Sequence, residues 1–340
     1  MANNENPKSQ LQLPLMTRLK LFAFELGRSV CIRRDGTINR RILGLLDLKS
    51  SAPTTKLINT TATVVSTSDI TVDHSRDLWF RLFIPTTSDA KTLPLIFYFH
   101  GGGFTTLGPD SKSFDELCSH IAAEIPAVVA SVNYRLAPEY RYPSQYDDAF
   151  DALKFIDAQN YAVLPANTDL NKCFIAGDSS GGNIAHHTTY GACKNSHEFV
   201  KIKIKGFMAL QPFFGGEERT ESELRLINAP VINVERTDWM WRCFLPEGMD
   251  RNHYSAHVFG GGVEEMKSVE FPRSLVIIGG YDPLQDWQRK YVEWLENCRK
   301  EVELIEYPNA FHSVYSFPEV PDYDLLIEDV TKFVQKQSTF

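Results

Sequence analysis

The sequence predicts an α/β fold with a mostly parallel central sheet flanked by helices. Two observations support this class. Short, almost wholly apolar runs at residues 94–99 and 127–132 are typical of strands that are buried on both faces of a parallel sheet. Amphipathic stretches of helical length, such as residues 113–124 and 284–299, lie between runs of this kind. Strands and helices therefore alternate along most of the chain, as expected for a sheet covered on both sides.

The first 50 residues are predicted to form an N-terminal arm ahead of the main domain, which covers residues 51–340. We expect residues 1 to about 12 to be disordered, because this stretch is polar. Residues 13–30 carry apolar side chains at helical spacing. Such an arm could bind a partner, cover a pocket as a lid, or pack as a simple leading helix, and the sequence leaves these three roles open.

The main domain contains further predicted elements in chain order. The predicted strands cover residues 62–66, 70–72, 78–84, 94–99, 127–132, 174–176, 207–210, 274–278 and 302–307. The predicted helices cover residues 113–124, 145–160, 180–193, 284–299 and 323–336. Residues 213–269 interrupt the alternation. We interpret them as an insertion, helical around residues 235–244, that covers the top of the sheet and contributes to a pocket.

Composition excludes several classes of partner. The 340 residues are 43% hydrophobic and 23% charged, as in ordinary globular proteins with a large core. A net charge of −8 without a basic stripe predicts no nucleic-acid partner. No apolar run approaches the roughly 20 residues of a spanning helix, so we expect no membrane partner. The six cysteines form no C-x-x-C pair and the N-terminus has no secretory pattern, which together predict free thiols and a cytoplasmic location.

The run from Gly177 to Gly181 reads Gly-Asp-Ser-Ser-Gly and matches the G-x-S-x-G pattern of a nucleophile elbow. An apolar run precedes it and a helical stretch follows it, which is the strand–turn–helix setting that the motif requires. The two glycines leave room for a very tight turn. Ser179 is therefore predicted to be a nucleophile raised above the sheet at a helix N-terminus.

A second glycine-rich turn, His100-Gly101-Gly102-Gly103-Phe104, follows the buried strand at residues 94–99. Glycines at the end of a strand leave backbone N–H groups unobstructed. Acyl transfer requires such donors at a carbonyl oxygen that becomes an oxyanion. We expect the amides of Gly101, Gly102 and Ser180 to form the oxyanion hole, and His100 to orient the turn by hydrogen bonds.

Ser179 needs a base, because an unassisted hydroxyl is a poor nucleophile near neutral pH. Asp282 and His312 each follow a predicted strand, in the chain order serine, acid, histidine. We expect His312 to act as the base and Asp282 to orient it. Asp286 competes for the acid role but lies one turn into the next helix. No metal or nucleotide motif is present, so we expect neither a metal nor a cofactor.

These motifs resemble the hormone-sensitive-lipase-like branch of the α/β hydrolases, and within it the plant carboxylesterases. The resemblance covers residues from about 33 to the C-terminus and rests on the stretches 100–104, 133–139, 177–183 and 282–284. It implies an α/β-hydrolase fold, an N-terminal helical lid, and a serine carboxylesterase that hydrolyses a small, uncharged, apolar or aromatic ester through an acyl-enzyme. By the same resemblance, five side chains are expected near the substrate pocket: Phe104, Asp178, Phe213, Trp239 and Trp241.

Residues 34–40 and 238–248 also resemble the gibberellin receptors. Those receptors share the fold but lack the catalytic histidine and carry a serine at the third glycine. Gly103 and His312 are both present here and favour the enzymes, for which no protein partner is required. Two alternatives remain: a hormone-binding protein with a receptor-type protein partner, and a lyase or dehydratase on the same scaffold. Ser313 and Val314 stand where the family more often has glycine and phenylalanine.

Overall fold

The computed structural model describes residues 11, 13–33, 35–86, 92–158, 162–260 and 262–339. Except for Leu11, the segment expected to be disordered (residues 1–12) lies outside the described residues. The helices of the described part are α1 Leu15–Cys31, α2 Arg40–Leu46, α3 Lys112–Glu124, α4 Ser144–Ala158, α5 Ser180–Lys194, α6 Glu221–Arg225, α7 Val234–Phe244, α8 Val263–Ser268, α9 Gln285–Asn297 and α10 Pro321–Ser338. The strands are β1 Thr54–Ile58, β2 Thr63–Asp73, β3 Leu78–Pro85, β4 Leu93–Phe99, β5 Val128–Asn133, β6 Thr168–Asp178, β7 Ile204–Leu210, β8 Arg273–Tyr281 and β9 Val302–Phe311.

The strands form one nine-stranded sheet in the order β1-β2-β3-β5-β4-β6-β7-β8-β9. Pairing is antiparallel from β1 through β3 to β5, and parallel from β5 through β4 to β9. The carboxyl ends of β4, β6, β7, β8 and β9 therefore lie at one edge of the sheet. The predicted α/β class with a mostly parallel sheet is confirmed.

The sheet is covered on both faces, as the continuous apolar strands predict. Every residue of β4 is buried. One face packs against α4, α5 and α9 through side chains such as Leu153, Ile184 and Tyr291. The other face packs against α3 and α10. Because both faces are dry, the strand ends at the carboxyl edge are held rigidly and can orient side chains.

Two differences between the predicted and observed strands lie on the antiparallel side of the sheet. Strand β1 was not predicted, because Thr54–Ile58 is a half-exposed edge strand with only its last residue buried. The two short strands predicted at residues 62–66 and 70–72 form the single strand β2, which pairs with a neighbour on each side. Strand pairing overrides the polar residues between them.

Helices α1 and α2 precede the sheet and lie beside its carboxyl edge. Helix α1 directs Leu21 and Thr17 inward, and Thr17 donates a hydrogen bond to Glu319 over 3.0 Å. Arg40, which begins α2, donates to the carbonyl of Ala137 and pairs with Glu139. No helix among the described residues is long and apolar enough to cross a membrane.

The predicted insertion at residues 213–269 holds helices α6, α7 and α8. The helix expected around residues 235–244 is present as α7 and begins with a side-chain cap, because the Asn233 side chain accepts a hydrogen bond from the Arg236 amide. Trp239 on this helix donates a hydrogen bond from Nε1 to the Gly36 carbonyl over 2.9 Å. The insertion therefore joins the N-terminal helices to the edge of the sheet.

Candidate active site

Ser179 occupies a strained turn between β6 and α5. Its backbone has φ of 50° and ψ of −120°, a conformation that non-glycine residues rarely adopt. A Cβ atom at Gly181 would collide with the carbonyl of Phe99, so the turn requires glycine there. Ser179 donates its backbone N–H to the Leu210 carbonyl, and its own carbonyl accepts from the Phe213 amide. The predicted nucleophile elbow thus has the expected strand–turn–helix geometry.

The structure brings together Ser179, His312 and Asp282, which are far apart in the sequence. His312 Nε2 lies 2.9 Å from Ser179 Oγ, and His312 Nδ1 lies 2.8 Å from Asp282 Oδ2. The exposed fraction is 7% for Ser179, 1% for His312 and 0% for Asp282. With its proton on Nδ1, the imidazole donates to the carboxylate and can accept the serine proton at Nε2. The arrangement is that of a serine–histidine–acid triad.

Both carboxylate oxygens of Asp282 are held by further donors. Oδ1 accepts the backbone N–H of Leu284 over 2.9 Å, and Oδ2 also accepts from Gln288 Nε2 over 2.9 Å. Asp286, the sequence competitor for the acid role, lies in the first turn of α9. It accepts instead from the Ser222 amide and pairs with Arg289.

The structure corrects one predicted oxyanion donor. The Gly101 amide donates to Asp178 Oδ1 over 3.0 Å and is therefore not free to face a substrate oxygen. In the described part of the chain, no protein acceptor receives the amide of Gly102, Gly103 or Ser180. The correction arises because the elbow and the glycine turn meet in space, which places the Asp178 carboxylate directly under Gly101. The Gly103 amide was not among the predicted donors, although Gly103 belongs to the same glycine run.

Asp178 is a buried support beneath the glycine turn. It was expected near the pocket, but it is 1% exposed and accepts a second hydrogen bond from the Tyr98 hydroxyl over 2.7 Å. Burial raises the pKa of Asp178 to about 7, against the opposing effect of hydrogen bonds from Tyr98, Tyr315 and the Gly101 amide.

His100 is buried against the opposite side of the turn. Its Nδ1 lies 2.7 Å from the Gly101 carbonyl, and its ring stacks on Tyr134 with centroids 4.3 Å apart. Burial lowers the pKa of His100 to about 4, so its ring stays neutral near pH 7. This placement agrees with the orienting role predicted for His100.

Three of the predicted pocket residues are instead buried in an aromatic cluster. Phe104, Phe213 and Trp241 are each at most 2% exposed, so they offer almost no surface to a ligand. Phe213 stacks on Trp241 with centroids 4.2 Å apart, and Phe104 stacks on Phe244 at 3.8 Å. Helix α7 causes this outcome, because it turns Trp241 toward the core. The cluster supports the glycine turn from beneath.

Trp239 lies on a different face of α7 and lines a cavity of about 320 Å³ between the N-terminal helices and the residues that follow the glycine turn. Met240, which no sequence signal indicated, shares this wall and contacts Gly103. Most of the lining is apolar. It consists of Ala23, Phe24, Gly27, Arg28, Cys31, Ile32, Ile38, Leu43, Leu46, Asp47, Thr105, Thr106, Leu107, Trp239 and Met240. Of the five expected pocket residues, only Trp239 borders this cavity.

The site offers little to a metal ion. Among the residues that the structure describes, no three His, Cys, Asp or Glu side chains are grouped in a way that could hold one. All six cysteines are free thiols, and five of them are buried. The chemical groups at the carboxyl edge are therefore the hydroxyl, imidazole, carboxylate and amides described above.

Comparison with known proteins identifies the fold and the family. Residues 96–316 match the model of a family with the alpha/beta hydrolase fold. The chain is 34% identical to the gibberellin receptor GID1C of Arabidopsis thaliana, over 97% of this chain and 96% of the receptor. It is 38% identical to the 3-O-acetylpapaveroxine carboxylesterase CXE2 of Papaver somniferum, over 74% of this chain and 85% of that enzyme.

A solved esterase of Pyrobaculum calidifontis has the same fold. Its TM-score is 0.73 at 23% identity, and the match covers 96% of this chain and 99% of that one. At this identity the likeness shows the fold alone, whereas the family model and the plant relatives show the family. The chain belongs to the hormone-sensitive-lipase-like plant carboxylesterase family of α/β hydrolases.

Proposed function

We propose that this α/β hydrolase is a serine carboxylesterase that acts through an acyl-enzyme. The observation that carries the proposal is the continuous hydrogen-bonded chain from Ser179 Oγ through both nitrogens of His312 to Asp282, with distances of 2.9 and 2.8 Å. These distances lie within the range that direct proton transfer between nucleophile and base requires. A protein that only bound a ligand would have no need of this alignment.

In the proposed acylation step, Ser179 Oγ attacks the ester carbonyl carbon while its proton passes to His312 Nε2. Asp282 stabilises the imidazolium that forms. The tetrahedral intermediate then collapses, the bond to the alcohol oxygen breaks, and His312 gives its proton to the departing alcohol. In deacylation a water molecule takes the place of the serine hydroxyl, and the acid and Ser179 are released.

The negative charge of the intermediate needs donors that are already in place. We assign this role to the amides of Gly102, Gly103 and Ser180, which have no acceptor within the described part of the protein. Ser180 also begins α5, whose N-terminal dipole favours negative charge. Fixed amides in a buried site stabilise an oxyanion more than water does, because they need no reorganisation.

The apolar cavity beside the glycine turn supports an uncharged, apolar or aromatic ester as the substrate. Its volume of about 320 Å³ lies at the lower end of the roughly 300–1,000 Å³ that is typical of small-molecule pockets. Helices α1 and α2 supply much of the lining. We therefore assign the described part of residues 1–50 to a lid over the main domain at residues 51–340, with the insertion at residues 213–269 forming part of the pocket.

Hydrolysis of a chromogenic short-chain ester tests the proposal. Wild type is expected to show a burst followed by steady turnover, and Ser179→Ala to lower kcat by about 10⁴-fold or more. Thr188→Ala is the matched control, since it removes a buried hydroxyl from the same helix, where Thr188 Oγ1 donates only to the Ile184 carbonyl. It should keep kcat within about threefold. Equal rates for Ser179→Ala and wild type would exclude the mechanism.

One observation favours a second candidate, a gibberellin-receptor-like binding protein. Helix α1 exposes a row of large apolar side chains, among them Leu15 at 70%, Phe22 at 69% and Leu26 at 58%. Exposed apolar rows of this kind mark interaction surfaces. In the receptor case, gibberellin would protect residues 13–46 from hydrogen exchange and no ester would be turned over. A product that has lost water or carboxylate without hydrolysis would instead identify a lyase or dehydratase.

A further inference from the structure

We propose that Gln211 is a positioning residue for His312, a role that rests on the proposed esterase function. Gln211 directly follows β7, and its carboxamide brackets the histidine. Nε2 donates to the Phe311 carbonyl over 3.0 Å, and Oε1 accepts the Ser313 N–H over 2.8 Å. The two bonds hold the peptide groups immediately before and after His312.

The orientation of this carboxamide is determined by its partners. A backbone carbonyl only accepts and a backbone N–H only donates, so a flipped amide would face both partners with the wrong group. Gln211 is 0% exposed. Loss of its side chain would therefore leave the Phe311 carbonyl and the Ser313 amide without these bonds in a dry environment.

The sheet order explains why the residue comes from β7. Strand β7 lies between β6, which Ser179 follows, and β8, which leads to Asp282. His312 follows the next strand, β9. The Gln211 side chain crosses β8 at Gly279, where any Cβ atom would collide with Nε2 of Gln211. A bare glycine on β8 is thus what allows β7 to reach the histidine loop.

The short segment from Leu210 to Phe213 also contacts the other two members of the triad. As described above, Leu210 and Phe213 bond both backbone groups of Ser179. The carbonyl of Pro212 accepts from Gln288 Nε2 over 3.3 Å, and the same nitrogen donates to Asp282. One segment therefore fixes the positions of the nucleophile, the base and the acid relative to one another.

Strained backbone on both sides supports a functional role. Gln211 has φ of 46° and Ser313 has φ of 69°, both in the left-handed region that favours glycine. Such conformations persist only where the surrounding structure enforces them. Here they allow the carboxamide and the Ser313 amide to face each other.

The test compares Gln211→Met, Gln211→Glu and wild type in ester hydrolysis, well below each thermal midpoint. The methionine side chain has a similar length but makes neither hydrogen bond. Misplacement of a catalytic group by about 1 Å can cost about 100-fold in rate, so we expect kcat to fall about tenfold to 100-fold. KM should change by less than about twofold, because Gln211 does not contact the cavity.

Gln211→Glu should make kcat depend on pH in a way that a purely structural role of Gln211 would not. An ionised carboxylate accepts from Ser313 but cannot donate to Phe311, whereas the protonated acid restores both bonds. Burial raises the pKa of a carboxyl group. The ratio of its kcat to that of wild type should therefore rise as pH falls from about 9 to about 6.

Gln145→Met is the matched control. Gln145 is also 0% exposed, and its Nε2 donates to the carbonyls of Arg135 and Tyr140, away from the triad. Its loss should lower thermal stability comparably and leave kcat within about threefold. Wild-type kcat in Gln211→Met, or an equal kcat loss in Gln145→Met, would overturn the inference.

A crystal structure of Gln211→Met separates this inference from the proposed function. We expect His312 to leave hydrogen-bonding distance of Ser179 or Asp282. Unchanged distances of 2.9 and 2.8 Å would overturn the positioning role, whatever the esterase activity. If wild type hydrolyses no ester, the proposed function fails, and the position of His312 in the variant still decides the role of Gln211.

Discussion

The carboxyl edge of the sheet and the cavity beside it are built in different ways. At the edge, Ser179, His312 and Asp282 are almost fully buried, and each is held by hydrogen bonds. The cavity is lined mainly by apolar side chains of α1, α2 and α7. Hydrogen bonds define directions, whereas apolar contacts define only shape and volume.

Under the proposed esterase function, this difference assigns reactivity and selectivity to separate parts of the molecule. Strand ends in a doubly covered sheet would fix the reacting groups, while helices outside the sheet would determine which ester fits. A change at the edge should lower the rate for every substrate. A change in the cavity should alter the preference among substrates and leave the rate for the smallest ester intact.

Gly103 lies where the two regions meet. Substitution of Gly103 should have a larger effect than the substitutions of Leu43 and Asp178 described below. Its φ is 62°, and a Cβ atom there would collide with the Met240 side chain. We expect Gly103→Ala to lower kcat about 100-fold for all esters, because it displaces an amide assigned to the oxyanion hole. Steady-state kinetics on an acetate and a longer ester would measure this loss.

Combining Gly103→Ala with Met240→Ala in a double-variant cycle measures how much of the loss comes from the collision between the two side chains. Removal of the Met240 side chain relieves the collision but not the left-handed backbone. The double variant should therefore recover activity several-fold over Gly103→Ala alone. If the two losses simply multiply, Met240 does not press on the glycine turn, and the two regions are independent there.

Leu43→Trp should have a moderate and selective effect. Leu43 lines the cavity, so a larger ring would fill part of it. We expect KM to rise about tenfold for an ester with a large apolar acyl group and to stay within about twofold for an acetate. Leu45→Trp is the control, since Leu45 lies on the same helix and is 82% exposed. Equal effects on both esters would contradict the assignment of the cavity to substrate.

Asp178→Asn should have the smallest effect, on stability rather than rate. The pKa of Asp178 is raised from 3.8 to about 7, so the folded state binds its proton more strongly than the unfolded state. Wild-type stability therefore falls as pH rises from about 4 to about 7, and the loss is complete above that window. Asparagine does not titrate and can still accept from Tyr98 and Gly101.

The thermal midpoint of Asp178→Asn minus that of wild type should accordingly increase by a few degrees between about pH 5 and about pH 8. Asp157→Asn is the control. Burial raises the pKa of Asp157, but hydrogen bonds from the amides of Val200, Ile202 and Lys201 outweigh it and lower the pKa overall. Its titration window lies below about pH 4, so its difference should stay flat. A flat difference for Asp178→Asn would show that this carboxyl group is not strained by burial.

The meeting of Ser179, Asp282 and His312 could be predicted from the sequence because parallel strands end at one edge. Each of the three follows such a strand, and chain order suggested the roles that we propose for them. The buried strands were equally accessible, since continuous apolar runs have few other interpretations. Edge strand β1 was missed because half-exposed residues such as Lys56 carry no periodic signal strong enough to identify it.

The pocket could not be predicted, because it depends on packing between distant segments. Trp239 and Trp241 are two residues apart, and only the docking of α7 decides which one lines the cavity. The Gly101 amide was assigned to the oxyanion hole because the sequence does not show that it donates to Asp178. That bond forms only when two distant segments meet in the fold. Gln211 had a weak signal, a polar residue directly after an apolar strand at the active edge.

Mass spectrometry of the protein quenched during the burst measures the chemistry at Ser179 directly. After mixing with a p-nitrophenyl ester, we predict that one acyl group is added and that it lies on the peptide containing Ser179. It should be absent in Ser179→Ala and should accumulate no further once turnover is steady. Ester turnover with no acyl group on Ser179, or with the group on another residue, would contradict the proposed mechanism.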